Sequence, residues 1–165
     1  MAIRKILTEG DPALSKKCHP VTSFDGRLAD LMDDLKETLA DANGVGLAAP
    51  QVGILRRAVI VVNDSGEMLE LINPEILDQS GEQEGLEGCL SVPGKWGYVT
   101  RPSWVKVKAQ DRKGNWFETE GTDLTARCFC HVLAHLDGHL YTELVDRIYT
   151  SEELDQMLEE QEDQE

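Results

Sequence analysis

The sequence predicts an α+β domain in which antiparallel or mixed β-sheets surround a late helix. Two observations lead there. β-branched and alternating apolar runs fill the middle of the chain, between residues 57 and 119, and helical spacing of apolar residues lies before and after them. Residues 1–24 mix a short apolar start (Ile3, Ile6, Leu7) with Gly10, Asp11, Pro12 and Pro20, and read as an extended segment wrapped on a core. Asp25 then suits an N-cap. Leu28, Leu31, Met32, Leu35 and Leu39 recur at helical spacing and Gly44 stands where a helix stops, so a helix is predicted over 26–42. The stretch Gly44-Val45-Gly46-Leu47-Ala48-Ala49-Pro50-Gln51 is small and uncharged. Its glycines permit close backbone approach. A tight helix-to-strand turn explains it as well as a functional loop does, and it makes a poor phosphate cradle because no strand–loop–helix order surrounds it.

Ala58-Val59-Ile60-Val61-Val62 is a strand ending at the turn Asn63-Asp64-Ser65-Gly66. Leu69 to Ile72 pairs back as a hairpin, stopped by Asn73-Pro74. Ile76, Leu77 and the segment near Leu86 are weaker strand candidates. Trp104 to Ala109 alternates apolar and polar, Asp111-Arg112-Lys113-Gly114 turns, and Trp116 to Thr119 returns antiparallel. Leu124 opens the late helix, with Thr122 or Asp123 as cap and Gly138 near its end. Ser151 is the expected N-cap of a last helix carrying Glu152 and Glu153 in its first turn and an apolar stripe of Leu154, Met157 and Leu158. Beyond Glu159 this acidic run is expected to fray. With no internal repeat or linker, residues 1–150 form one domain and 151–165 an acidic helix or tail.

At 165 residues, with 41% hydrophobic and 28% charged residues, the chain can bury a core without staples. A net charge of −15 argues against direct nucleic-acid contact or an anionic membrane surface. The last fifteen residues carry eight acids and no Lys or Arg, leaving −7 of the −15 for the rest, so the acidity says little about a substrate. No apolar leader or bilayer-spanning run is present, and a cytoplasmic location is expected. The four cysteines (18, 89, 128 and 130) show no secreted-domain framework and read as thiols or ligands.

Chemistry concentrates in Arg127-Cys128-Phe129-Cys130-His131-Val132-Leu133-Ala134-His135. Two histidines four apart on a helix share a face, so both imidazoles reach one metal ion, as in the H-E-x-x-H pattern. Val132 stands where that pattern has glutamate. The bland alternative is a pair of half-buried histidines hydrogen-bonded to neighbours. A third ligand would come from Cys89, Cys18, His19, His139 or a carboxylate. Cys89 lies in Glu87-Gly88-Cys89-Leu90-Ser91-Val92-Pro93, where Gly88 admits close approach; a thiolate, two imidazoles and an open position form a catalytic coordination pattern. Cys128 and Cys130 point to different sides of the helix and read as packed thiols, and His139 falls beyond the helix-ending Gly138.

Three segments together resemble peptide deformylase. Residues 44–51 are similar to its G-x-G-L-A-A-x-Q motif, 87–91 to E-G-C-L-S and 131–135 to H-E-x-x-H, in the same order and at matching separations, and the similarity runs from the opening segment to about Ile148. The resemblance implies a fold of that family and hydrolysis of the N-formyl group from the starting methionine of nascent proteins. It implies one divalent ion, commonly iron(II) with zinc, nickel or cobalt able to substitute, held by Cys89, His131 and His135, which acidifies a water for attack on the formyl carbon. Gln51 and the Leu90 N–H would stabilise the oxyanion. Substrate would pair as a strand with Val45, Gly46 and the Gly88 region, and its methionine would enter an apolar pocket of Leu86, Leu124, Cys128 and the His131 edge. Glu87 would pair with Arg101 to shape the cysteine loop, and Asp137 would act only behind the ligands. Encounters with nascent chains at the ribosome would be transient. Trp96 and Tyr98 are expected near the cleft.

The residue the family has at position 132 takes a proton from water and delivers it to the leaving amine; Val132 can do neither. Losing such a group costs about 10²–10⁴ in rate. Three readings follow. The chain is a deformylase whose glutamate was replaced, by engineering or by a point change; or a natural relative that binds metal and formylated peptide without catalysis; or an enzyme in which Glu87 or Asp137 serves as base, which their distance in sequence from His131 disfavours. Val132 could also stabilise the fold by removing a carboxylate from a partly desolvated cleft.

Overall fold

The computed structural model describes residues 2–164. Asp25 starts the first helix: its carboxylate accepts the Leu28 N–H at 3.2 Å, and α1 (Gly26–Ala42) ends at Asn43, whose left-handed backbone (φ 54°) breaks the helical path. In chain order the strands are β1 (Gly46–Ala48), β2 (Ala58–Val62), β3 (Met68–Ser80), β4 (Gln83–Cys89), β5 (Val92–Arg101), β6 (Trp104–Gln110), β7 (Trp116–Thr122) and β8 (Tyr149–Thr150). The late helix is α2 (Asp123–Leu136) and the last is α3 (Ser151–Gln164). β1-β2-β3-β6-β7 form one sheet and β4-β5-β8 another, all paired antiparallel.

Burial pattern follows position in the layers. β2 is apolar throughout because both its faces are covered. Ala58 and Ile60 pack with Leu28, Met32, Leu35 and Leu39 of α1, while Val59 and Val61 pack with Ala126, Phe129, Val132 and Leu133 of α2. β6 alternates because only one face is covered: Val105, Val107 and Ala109 are buried beneath α2, and Lys106 and Lys108 reach outward to Glu118 and Glu75. α2 presses on the sheet most closely at two glycines. A Cβ on Gly46 would lie 2.5 Å from Cys128 Sγ and 2.9 Å from Val132 Cγ1, and one on Gly121 would lie 2.4 Å from Thr125 Cγ2. The opening segment is extended apart from a short turn at Pro12–Ser15, and it straps the site region: Leu7 N–H donates to Gln51 C=O, Glu9 N–H to Ser91 C=O and Cys18 N–H to Leu136 C=O.

Three expectations are corrected, and Thr122 is the residue that caps α2, as expected. Asn73-Pro74 does not stop the hairpin; β3 runs on to Ser80 through a register shift between Ile72 and Glu75. Asn73 sits at φ 50° and its side chain holds both backbone groups of Val21, so the irregularity has its own hydrogen bonds, and the missing proline N–H falls where ladder pairing lapses. That extension absorbs Ile76 and Leu77, and Leu86 lies in β4. Thr122 caps α2 by position without a side-chain hydrogen bond. At α3 the capping side chain is Thr150 rather than Ser151: Thr150 Oγ1 accepts the Glu153 N–H at 3.1 Å and donates to the Glu153 carboxylate at 3.3 Å. α3 continues past Glu159 to Gln164; Glu165, the end of the expected tail, lies outside the described residues. Among the described residues no helix is long and apolar enough to cross a membrane.

Phe129 is fully buried where α2 meets the sheet. Phe129→Ala should cost about 3–5 kcal/mol in urea unfolding; a loss below 1 kcal/mol would mean that this helix–sheet contact is not central to the core.

Candidate metal centre

One turn of α2 separates His131 from His135, and their rings sit 5.0 Å apart, edge to face. Cys89 ends β4, where a register shift after Glu87 turns the strand toward the helix, and its Sγ lies 3.3 Å from His135 Nε2. One ligand atom each of Cys89, His131 and His135 falls within 4.8 Å of the others. The ion-pair network behind them is centred on Glu87. Its carboxylate accepts from Arg101 Nε at 3.1 Å and Nη2 at 2.7 Å, from Arg127 Nη1 at 3.1 Å and from His131 Nδ1 at 2.8 Å. All these side chains are buried or nearly so.

Burial opposes charge on Glu87, yet the hydrogen bonds from His131 and Arg101 outweigh it and hold its carboxyl down to about 2. Burial likewise opposes charge on His131, and hydrogen bonds to Cys89 and Glu87 hold it up to about 9. On His135 burial, joined by repulsion from His131, pushes the pKa down to about 3.

The residues fit a divalent ion. With Nδ1 engaged by Glu87, His131 turns its other nitrogen toward the Cys89 sulfur, where it can serve as a donor atom, the usual arrangement behind a metal-bound imidazole. The Cys89 sulfur receives N–H groups from Ser91 at 3.4 Å and the Gln51 amide at 3.6 Å, which suits a thiolate. His135 is 1% exposed, and its Nδ1 has no partner among the described residues. The nitrogen placed to coordinate is Nε2, 3.3 Å from the Cys89 sulfur, while the unpaired Nδ1 lies on the other side of the ring and carries its own burial cost. The bland alternative, two histidines satisfied by neighbours, does not describe His135.

A cleft of about 440 Å³ opens above the cluster, lined by Val45, Gly46, Leu86, Glu87, Gly88, Cys89, Leu90, Trp96, Leu124, Cys128 and His131 among others. Gln51 lies beneath it, 1% exposed, accepting the Ala48 N–H at 2.9 Å and donating to Ser91 Oγ at 3.1 Å. The Cys128 thiol donates to Val45 C=O at 3.2 Å, and burial pushes its pKa to about 12. Cys130 is half-buried against the core and Cys18 lies under the far end of α2, so among the cysteines Cys89 alone joins the histidines. His139 is exposed and pairs with Glu143, and His19 is held by backbone pairing near Arg56.

Other expected neighbours lie outside the lining. Tyr98 does not line the cleft itself but lies beside it, opposite cleft-lining Leu86 in the β4–β5 pairing and edge to face with Tyr149 at 5.9 Å. Asp137 lies past the end of α2 and pairs with Arg57 at 3.0 Å, touching no ligand. Val132 is fully buried in the core between α2 and the sheet and does not line the cleft. Two residues escaped the sequence reading. Arg127, four before His131 on the same helix face, also donates to Val99 C=O at 3.0 Å; a charged residue one turn from a ligand was the available signal. Tyr141 stacks on the His131 ring at 5.9 Å and donates to Lys95 C=O at 3.0 Å, and nothing in the sequence announced it.

Glu87→Gln leaves two buried guanidinium groups without their counter-charge. It should cost about 3–5 kcal/mol in denaturant unfolding; a cost under 1 kcal/mol would show that the arginines find other partners.

Comparison with known proteins agrees with this geometry. The family model described as polypeptide deformylase matches residues 3–151. The peptide deformylase of Agathobacter rectalis is 55% identical over 146 residues, covering 88% of this chain and 92% of that protein. The crystal structure of a peptide deformylase from Legionella pneumophila superposes with a TM-score of 0.83 at 40% identity, covering 96% of this chain and 97% of that one. A Met-Ala-Ser-bound peptide deformylase from Acinetobacter baumannii superposes with a TM-score of 0.82 at 35% identity, covering 87% and 98%. Likeness of this extent along nearly the whole sequence means that the chain belongs to the polypeptide deformylase family, whose members remove N-formyl groups from nascent peptides.

Proposed function

We propose that the chain binds formyl-methionyl peptides over a single divalent ion and hydrolyses them slowly, because Val132 replaces the proton carrier. The convergence of Cys89, His131 and His135 at the floor of an apolar cleft carries this reading. Iron(II) is the proposed ion in the cell, with zinc or nickel able to substitute. Such an ion supplies Lewis acidity to the formyl carbonyl and to an attacking water.

The chain's own groups would do the rest. Gln51 Nε2, held beside the Cys89 sulfur by its bonds to Ala48 and Ser91, and the Leu90 backbone N–H would stabilise the oxyanion. Val45, Gly46 and Gly88 would take the peptide as an added strand beside β1, and Leu86, Leu124 and Cys128 would receive the methionine side chain. The Met-Ala-Ser bound by the Acinetobacter baumannii protein supports a peptide ligand. Glu87 is unsuited to be the base, since four hydrogen bonds occupy its carboxylate, and Asp137 is turned to Arg57. The strongly negative chain would meet nascent peptides transiently at the ribosome, in the cytoplasm, without binding nucleic acid or membrane directly.

Full burial of Val132 in the core favours a second reading, a relative that keeps metal and peptide binding without useful turnover. Hydrolysis of a formyl-methionyl peptide by the nickel-loaded chain and by Val132→Glu separates the two. The first reading expects a gain of about 10²–10⁴ in rate from the glutamate; unchanged slow turnover with peptide still bound supports the second. Because the added carboxylate enters a desolvated position, Val132→Glu should also melt several degrees lower at equal metal content, for about 1–3 kcal/mol lost; equal or higher melting would refute that cost. Cys89→Ser should abolish stoichiometric metal retention after dialysis, and full metal content in that variant would sink the proposed ligand set.

A further inference from the structure

Another cavity, of about 430 Å³, lies at the opposite end of α1 from the cleft, and no residue lines both. A helix of 17 residues puts about 25 Å between them. The floor is apolar, made by Val21, Leu28, Leu31 and Ile54. Its two sides are pinned: the Asn73 side chain holds both backbone groups of Val21, and the His19 backbone pairs with Leu55 and Arg57. Arg27, Arg56, Thr22 and Ser23 line the exposed rim, beside Arg4. Positive charge here is out of keeping with a chain of net charge −15. Six of its eight arginines are in ion pairs with carboxylates, Arg4 with Asp34 among them. Among the described residues the two without such a pair are Arg27 and Arg56, and both line this cavity. The one acid in the lining, Asp25, is committed as a helix cap to the Leu28 N–H, and α1 presents the positive end of its dipole there.

We propose that this cavity binds a small organic phosphate, an apolar or aromatic ring carrying a phosphate monoester. Each unpaired guanidinium offers a planar fork of N–H groups that matches two oxygens of one anion. Two such forks, two hydroxyls and the open first turn of a helix suit the three terminal oxygens of a phosphate; a carboxylate would leave one arginine unmatched. The apolar floor gives the site its second half. Solvated surface arginines need no hollow beside them, whereas a ring seated on Leu28, Leu31 and Ile54 leaves water while its phosphate stays at the rim. The volume falls in the range of small-molecule sites. Since nothing is shared with the cleft, the site stands whether or not formylated peptide binds there.

The test is an NMR titration of the zinc-loaded full chain, following the amides of residues 22–28 and the arginine Nε–H signals. The probes are phenyl phosphate, inorganic phosphate and phenol. Phenyl phosphate should shift these signals saturably and bind about tenfold more tightly than either of the others. Arg27→Gln and, independently, Arg56→Gln should each weaken it about tenfold with melting temperature unchanged, since neither side chain has a partner to lose. Lys113→Gln, which removes an exposed cation on the turn between β6 and β7, should leave the affinity as it was. Phenyl phosphate bound no more tightly than inorganic phosphate would reveal a charged surface without a pocket and overturn the proposal. Shifts that survive both arginine substitutions, or that fall equally in Lys113→Gln, would overturn it too. A short oligoribonucleotide that moves the same signals at lower concentration than phenyl phosphate would assign the rim to an RNA backbone and end the small-molecule reading.

Discussion

The interaction on which the site depends is the clasp around Glu87. One buried carboxylate is gripped by Arg101 from β5, by Arg127 and His131 from α2, and is itself carried on β4, two residues before the cysteine. The sulfur and the imidazoles come from elements with no covalent proximity, and their separation is set by this junction. Taking so many charged groups out of water is unfavourable unless nearly every donor is matched. Here the match is close: Arg127 also donates to the Val99 and Gln83 carbonyls, and a side chain at Gly85 would crowd its guanidinium. What this arrangement contributes is definition. The ring of His131 is held in one orientation, and with it the direction of the nitrogen that faces Cys89.

Most of the architecture was legible because periodicity reports burial. Leucine spacing over 26–42 located α1, the unbroken apolar run at 58–62 announced a strand covered on both sides, and alternation at 104–109 announced one covered on a single side. What periodicity could not report was long-range compensation. Asn73-Pro74 looks like a stop locally, and becomes a tolerated irregularity because Val21, 52 residues away, supplies the hydrogen bonds. The same holds at the site. The i, i+4 histidines and Cys89 could be read as ligands from residue chemistry and family likeness, whereas Arg127 and Tyr141 acquire their places from tertiary neighbours that no local pattern encodes.

Val132 separates two properties that usually travel together. Ligands, clasp and cleft are intact around it, while the side chain itself belongs to the packing between α2 and the sheet. Holding a metal needs convergent lone pairs and a neutralised surround; moving a proton needs one titratable group at the right point. The chain has every visible element of the first, and Val132 carries no group that could supply the second.

The bare backbone at Gly46 has a mechanical corollary. Because no side chain intervenes, Cys128 and Val132 rest directly on the strand that borders the cleft. Any peptide that stiffens this strand also damps the swing of the helix from which both imidazoles hang, so ligand occupancy and firmness of the coordination cage would rise in step, with no hinge or moving lid between them.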